Sequence, residues 1–215
     1  MRARLKAIQD RIERACETVG RDPALVTLIA VSKTHPADSI RALYDLGHRV
    51  FGESRLQEAI PKIEALPGDI EWHFIGKLQS NKAKKATEYF RAIHTIESES
   101  QLKELAKGRP IDGLVEVNIG EEPQKSGIAP EMLDDFLKIV LQYDQVKFRG
   151  LMAIGPAHPN AEAMRPYFQR MFRLNERVQG EWLSIGMSQD FDVAIQEGAT
   201  HVRVGTALFG ERPSL

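Results

Sequence analysis

The stretch Leu25-Val-Thr-Leu-Ile-Ala-Val-Ser-Lys33-Thr-His-Pro36 is a short apolar run that leads directly into a lysine. Such a run is typical of a buried strand, and a helical pattern follows it at residues 37–46. The same alternation of strand and helix continues along the chain, so this first unit indicates the fold of the whole sequence.

Eight apolar runs alternate with helical patterns, and a first helix is predicted at residues 2–19. The predicted strands are Val26–Val31, His48–Phe51, Glu71–Ile75, Ala92–Ile96, Gly113–Ile119, Phe148–Ile154, Leu183–Ile185 and His201–Val204. The helical patterns after the first unit are at residues 53–65, 79–89, 99–107, 130–142, 160–179 and 189–197. Eight such units predict a (β/α)8 barrel, with an open doubly wound sheet as the alternative.

The composition narrows the class of protein. The chain has 215 residues, 42% hydrophobic and 27% charged, which fits one domain over residues 1–215. A formal net charge of -1 gives no field that favours nucleic acid or an anionic membrane. One cysteine, Cys16, fits a reducing compartment. No apolar run reaches the roughly 18 residues of a membrane span and the charged N-terminus is no secretory signal, so we predict a cytoplasmic protein.

Side-chain alternation along the strands predicts which residues face the barrel interior. If Lys33 faces the interior, Ile29 does so as well. Arg203 should also point inward, because its neighbour Val204 should face the covering helices. A buried guanidinium needs a partner, which could be a bound ligand or an internal carboxylate such as Glu116.

Two glycine turns follow the seventh and eighth predicted strands. Gly186 and Ser188 lie in the first turn, and Gly205 and Thr206 lie in the second. In barrels of this kind a phosphate commonly binds at these two loops, because glycine lets the backbone approach and N–H groups and hydroxyls donate to the anion. One glycine turn is a common way to end a strand, whereas two in consecutive units favour a phosphate site.

Lys33 lies at the end of a strand, on the side where such barrels place their sites. Desolvation lowers the pKa of a lysine and makes its amine a nucleophile toward an aldehyde, although an isolated lysine at a strand end more often reaches into solvent. The six histidines lack HExxH spacing and there is no cysteine pair, so we predict no metal site. His73 and His94 are assigned to the core or to a layer behind the site, and the basic run at Lys77–Lys85 to a solvated face.

Seven segments, in order along most of the chain, resemble the pyridoxal phosphate homeostasis proteins, single-domain relatives of the alanine racemase N-terminal barrel. The segments are Ala30–Thr34, Phe51–Glu58, Trp72–Lys82, Lys125–Gly127, Arg149–Ile154, Ser184–Ser188 and Val202–Gly210. The resemblance implies a (β/α)8 barrel with an extra N-terminal helix, and pyridoxal 5′-phosphate (PLP) as the cofactor.

The resemblance also implies roles for individual residues. Lys33 would form the internal aldimine with PLP, and Arg203 would face the pyridine nitrogen. The residues implied to surround the phosphate are Gly186, Ser188, Gly205 and Thr206. The family usually has asparagine where this chain has Ser54, and this shorter side chain leaves open any contact from that position to the cofactor ring.

Proteins of this kind bind and handle PLP without an established reaction, which implies a role in vitamin B6 homeostasis with little turnover. Apo forms of PLP-dependent enzymes are candidate receivers of the cofactor, and we predict a monomer because no long apolar seam is left over. A racemase-like enzyme is the alternative, but the chain ends at Leu215 without a tyrosine-bearing second domain to supply the second base. A cation beside the ring nitrogen also weakens the ring as an electron sink. A Schiff-base aldolase with Glu116 as acid and base is a further alternative.

Overall fold

The computed structural model of the protein describes residues 1–156 and 158–210; Ala157 and residues 211–215, which belong to the predicted domain, lie outside this part. Eight parallel strands form a closed barrel in which each strand pairs with the next, and the first pairs with the last. The strands are β1 (Thr27–Val31), β2 (Val50–Glu53), β3 (Glu71–Phe74), β4 (Ala92–Ile96), β5 (Ile111–Glu116), β6 (Val146–Met152), β7 (Trp182–Met187) and β8 (His201–Val204). The predicted (β/α)8 barrel is confirmed, and the open doubly wound sheet is excluded by the pairing of β1 with β8.

Helices cover the outside of the barrel, and the extra N-terminal helix packs against the last two of them. The helices are α1 (Arg2–Thr18), α2 (Ala37–Tyr44), α3 (Leu56–Ala65), α4 (Ser80–Tyr89), α5 (Glu99–Leu105), α6 (Leu133–Val140), α7 (Arg165–Arg177), α8 (Phe191–Gln196) and α9 (Thr206–Phe209). Short 3₁₀ turns at Pro130–Met132 and Ala161–Met164 precede α6 and α7, within stretches predicted to be helical. Across the described ranges, no helix has the length and apolar character needed to cross a membrane.

The second unit differs from its prediction at the junction of strand and helix. The predicted strand at His48–Phe51 lies two residues too early, because β2 begins at Val50 and includes Glu53. Glu53 was predicted to begin a helix, but α3 begins at Leu56. The Gly-Glu-Ser sequence has no apolar pattern that could separate the two elements, and the strand continues because its backbone pairs with β3.

Two other predicted strands are displaced toward the C-terminus. The predictions at Gly113–Ile119 and Phe148–Ile154 run past the observed ends of β5 at Glu116 and β6 at Met152. Residues beyond the strand ends, such as Val117, remain buried in the loops above the barrel. Apolar residues therefore continue past the ends of β5 and β6, and composition alone places the ends of these strands too late in the chain.

Side-chain alternation divides the buried residues into two layers, as predicted. Val204 belongs to the hydrophobic core between the sheet and the helices. Ile29 faces the interior, where a Cβ atom added at Gly52 of the next strand would lie only 2.8 Å from its Cγ2 atom. Arg203 is 5% exposed and also points inward, where it bonds to Ser184 of β7. The interior therefore contains polar side chains in place of some of the branched apolar residues common in such barrels.

Candidate functional site

The predicted lysine and the second glycine turn lie on neighbouring strand ends. β1 ends at Val31, and Lys33 lies two residues beyond it, half-buried. β8, the hydrogen-bonded neighbour of β1, ends just before Gly205 and the exposed Thr206. A Cβ atom at Gly205 would lie 3.3 Å from the carbonyl oxygen of Val31, so the missing side chain keeps the space between the two strand ends open.

Gly186, the other predicted turn glycine, lies on the other side of β8 and within β7 itself, because this strand continues two residues past its predicted end at Ile185. Gly186 has a φ of +89°, a conformation that L side chains rarely adopt. A Cβ atom there would lie 2.6 Å from the Cβ atom of Ala194 and 3.0 Å from the Cα atom of Phe191, so glycine is what lets α8 pack directly on the end of β7. Ser188 follows in the same turn and is half-buried. Because β7 and β8 pair, both turns predicted to hold a phosphate lie at one side of the barrel mouth.

Arg203 points into the barrel beneath these turns. Its Nη1 atom donates to the carbonyl oxygen and to the hydroxyl of Ser184, both at 2.7 Å, and its Nη2 atom donates to the carbonyl oxygen of Ala153 at 2.9 Å. Burial lowers the pKa of Arg203 to about 10, while the carboxylates of Glu116 and Asp190 raise it. The guanidinium therefore stays charged at neutral pH, and Glu116, suggested as its partner from the sequence, acts on it through its charge.

A buried ion-pair network lies behind the first strand end. Lys62 of α3 is 9% exposed, and its Nζ atom donates to Glu53 Oε1 at 2.8 Å, to Glu58 Oε1 at 2.7 Å and to the carbonyl oxygen of Ser32 at 3.0 Å. The hydroxyl of Ser32 donates to the same Glu53 oxygen at 2.7 Å. Burial raises the pKa of Glu53, although Lys62 and Ser32 lower it. The three donor positions of the ammonium are therefore all used.

This network holds the loop that bears Lys33 from both sides. On one side of Lys33, Lys62 donates to the carbonyl oxygen of Ser32. On the other side, the backbone N–H of Thr34 donates to Glu58. Thr34 has a φ of 68°, an uncommon conformation for a residue with a branched side chain. Burial raises the pKa of Glu58, but its bonds to Lys62 and Thr34 outweigh this and lower it overall. The local backbone at Lys33 is therefore determined by side chains of α3 and β2.

The sequence patterns led to no prediction of this network. Leu56, Ala59 and Lys62 are the buried positions of α3, spaced three residues apart. Lys62 thus lies on the apolar stripe of its helix, where a charged residue is almost never fully buried unless it is paired. A lysine on the apolar stripe of α3 is therefore the sequence signal that could have predicted a buried carboxylate partner for Lys62.

Glu116 lies at the end of β5, on the opposite side of the barrel from β1, and is 6% exposed. Burial and the nearby charge of Glu97 raise its pKa from 4.5 to about 7, against the opposing charges of Arg203 and Lys77. A carboxyl group of this kind gains and loses its proton near neutral pH.

The raised pKa of Glu116 predicts a pH dependence of stability. The folded state keeps a proton that the unfolded state releases above pH 4.5, so wild-type stability is lost as the pH rises from 4.5 to about 7. Glu116→Gln removes this loss. Relative to wild type, the variant should gain up to about 3 kcal/mol between about pH 4.5 and about pH 8. Denaturant unfolding of both proteins at these two values measures the gain, and a difference unchanged with pH would show that Glu116 titrates normally.

Ser54, the position that departs from the family pattern, follows β2 and is half-buried. Its backbone packs closely on Gly76, where an added Cβ atom would lie 2.2 Å from the carbonyl oxygen of Ser54. His73 and His94 lie in β3 and β4 as predicted and are fully buried in the interior. Within the described ranges, no group of three or more His, Cys, Asp or Glu side chains is arranged to hold a metal ion.

Comparison with known proteins gives consistent matches along the chain. The model of the alanine racemase N-terminal domain matches residues 3–213. A pyridoxal phosphate homeostasis protein of Aquifex aeolicus is 43% identical over 221 residues, covering 97% of each chain. A protein of the same name from Pseudomonas aeruginosa is 41% identical over 210 residues, covering 94% of this chain and 91% of that protein. The structure of PipY from Synechococcus elongatus PCC7942, with PLP bound, has a TM-score of 0.80 and 40% identity, and the match covers 93% of this chain and 100% of that chain.

Proposed function

Since the chain belongs to the alanine racemase N-terminal domain family, and within it to the pyridoxal phosphate homeostasis proteins, we propose that it binds PLP at the mouth of its barrel. Its role would be vitamin B6 homeostasis in the cytoplasm. The observation that carries this proposal is the arrangement of Lys33, the Gly205 turn and Arg203 on two paired strands. PLP has an aldehyde, a phosphate and a ring nitrogen, and these three groups correspond to the three features of the site.

The residues present fit the cofactor group by group. The turns at Gly186 and Gly205 would offer backbone N–H groups, and Ser188 and Thr206 would offer hydroxyls, as donors to the phosphate. In support, Gly205 leaves the space beside the carbonyl oxygen of Val31 without a Cβ atom. Arg203 is a buried donor for the ring nitrogen. When bound, PLP supplies an aldehyde carbon that condenses with a lysine amine, with loss of one water molecule.

The chain's own residues account for a holding role with little turnover. The Lys62 network fixes the backbone on both sides of Lys33, which restricts where its amine can reach. Arg203 stays charged near neutral pH, and a guanidinium has no lone pair to accept a hydrogen bond. A ring nitrogen facing Arg203 would therefore accept a hydrogen bond and stay unprotonated, so the ring would withdraw few electrons from a bound amino acid.

The proposal includes the partners of the protein. We infer that it acts as a monomer and passes PLP to apo forms of enzymes that use this cofactor. The half-buried position of Lys33 and the exposed Thr206 support exchange, because they leave one side of the site open to water. Sedimentation of the loaded protein, and its incubation with an apo-enzyme, would measure the two parts separately.

The binding proposal is tested with the purified full chain and added PLP. The mixture is reduced with borohydride, digested and analysed by mass spectrometry, with pyridoxal, which has no phosphate, as the matched ligand. We expect a phosphopyridoxyl mass on the peptide containing Lys33, and much weaker labelling by pyridoxal. A protein that gains no adduct from PLP, or labels equally with both aldehydes on exposed lysines, would contradict the proposal.

A further inference from the structure

A continuous line of polar side chains crosses the barrel interior from the mouth to the opposite end. Arg203 Nη1 lies 2.7 Å from Ser184 Oγ, which lies 2.9 Å from His94 Nδ1. His94 Nε2 lies 2.8 Å from His73 Nδ1, and His73 Nε2 lies 2.9 Å from Glu71 Oε1. The three middle residues are fully buried, whereas the Glu71 side chain is 43% exposed at the start of β3. The line therefore joins the buried guanidinium to solvent at the far end of the barrel.

Chemistry gives this line a single direction. A guanidinium only donates, so Ser184 Oγ accepts from Arg203 and its own hydrogen is left for Nδ1 of His94. Burial lowers the pKa of His94 well below its usual range, so the ring is neutral and its one hydrogen is on Nε2. That hydrogen goes to Nδ1 of His73, whose own hydrogen on Nε2 goes to Glu71. A carboxylate only accepts, so both ends of the line require the same direction.

We propose that Ser184, His94, His73 and Glu71 are positioning residues that orient Arg203 and stabilise its charge. Each neutral group points a lone pair toward the guanidinium and a hydrogen toward the carboxylate. The aligned bonds polarise one another and stabilise a cation at the mouth and an anion at the far end. Arg203 is thereby fixed as a donor, and no group in the line has a proton to pass to a ligand at the mouth.

The consequence for the ligand rests on the proposed binding of PLP with its ring nitrogen toward Arg203. A nitrogen held by this donor stays unprotonated. The line would then explain, through residues that do not touch the cofactor, why the site holds PLP and supports little chemistry on it. Glu71, at the end of the barrel opposite the mouth, becomes a remote determinant of the cofactor's electronic state.

The direction of the line is tested in the apoprotein, without any cofactor. ¹⁵N NMR of histidine-labelled protein near neutral pH distinguishes protonated from unprotonated ring nitrogens. We expect His73 and His94 each to have hydrogen on Nε2 only. Ser184→Ala leaves Nδ1 of His94 without its hydrogen-bond donor and should shift the ¹⁵N resonance of that nitrogen, while Glu71 still keeps the hydrogens on Nε2 of both rings. Ser100→Ala, at an exposed serine outside the line, should change nothing. A doubly protonated His73, or hydrogen on Nδ1 of His94, would overturn the relay.

The effect on the ligand is tested with PLP itself. Ser184→Ala removes one of the bonds that hold Arg203, and we expect about three- to tenfold weaker PLP binding and a shifted absorption maximum of the bound cofactor. Ser184→Thr, which keeps a hydroxyl, should restore both. If Ser184→Ala fails to fold, Glu71→Ala at the exposed end removes the acceptor of His73 Nε2 and should shift the ¹⁵N resonance of that nitrogen instead.

The two proposals fail in different ways. A wild-type protein that shows the expected tautomers but does not bind PLP would contradict the proposed function and leave the relay intact. A protein that binds PLP but whose imidazoles, affinity and absorption maximum do not respond to Ser184→Ala would contradict the relay alone.

Discussion

Lys33→Ala protein, incubated with PLP and reduced with borohydride, is expected to give no phosphopyridoxyl adduct within the barrel. The wild-type chain should give about one adduct per chain under the same conditions, because condensation with an aldehyde needs an amine held at one place. The Ser32–Thr34 loop is fixed by Lys62 and Glu58, which holds the backbone of Lys33 at one place. Peptide mass spectrometry of the two proteins measures the difference.

The control for this experiment is Lys77→Ala. Lys77 has a side chain that is 73% exposed and lies 3.8 Å from a carboxylate oxygen of Glu97, so its removal should leave labelling unchanged. The Lys33→Ala protein should still bind PLP weakly and reversibly, since Arg203 and the two glycine turns remain. A full adduct in Lys33→Ala on another lysine would place the cofactor elsewhere in the molecule.

Lys62→Met is expected to cost about 3–5 kcal/mol of the free energy of unfolding near neutral pH. Glu53 is fully buried, and without Lys62 its charge would have only the Ser32 hydroxyl as a partner. Because a buried carboxyl group without a cation favours its protonated form, the loss should be smaller in acid than at neutral pH. Denaturant unfolding in acid and at neutral pH measures the loss of stability. PLP titration should show weaker binding, because the loop at Lys33 is disturbed.

Two further variants show whether the buried pair is the cause. Lys62→Met combined with Glu53→Gln should recover a large part of the stability, because no unpaired charge remains. Lys138→Met removes an exposed lysine that pairs with Asp135 at 2.7 Å and should change stability by only about 0–1 kcal/mol. Equal losses in Lys62→Met and Lys138→Met would show that the network contributes no more than a surface pair.

The features of this protein that could be predicted from its sequence are those with a local pattern. Apolar runs repeated along the chain predict the eight units, and the alternation of side chains along a strand predicts that Ile29 and Arg203 face the barrel interior. The prediction that Gly205 follows the eighth strand is confirmed, whereas Gly186, predicted to follow the seventh strand, lies within β7, which ends two residues later than predicted. The assignment of Lys33, Gly186, Ser188, Gly205 and Thr206 to a PLP site remains a prediction.

The features that could not be predicted are contacts between residues far apart in sequence. Lys62 of α3 meets Ser32 although one helix and one strand lie between them in the chain, and His94 of β4 meets Ser184 of β7 although two strands lie between them. No spacing rule links such pairs, because the barrel closure brings them together. The strand ends were also misplaced where loops such as the one after Glu116 stay buried, since apolar composition reports burial and not backbone pairing.

The pairing of Thr27 with His201 makes the last strand the neighbour of the first. During synthesis, β1 and its lysine leave the ribosome early and must wait, with one edge unpaired, until β8 has been made. Arg203 and the turn at Gly205 and Thr206 are made only with that final segment, so a nascent chain has the amine but lacks part of the site proposed to hold PLP. PLP binding should therefore require a chain that contains β8. Ribosome-bound chains that stop before β8 should not bind PLP at a concentration that saturates the released protein.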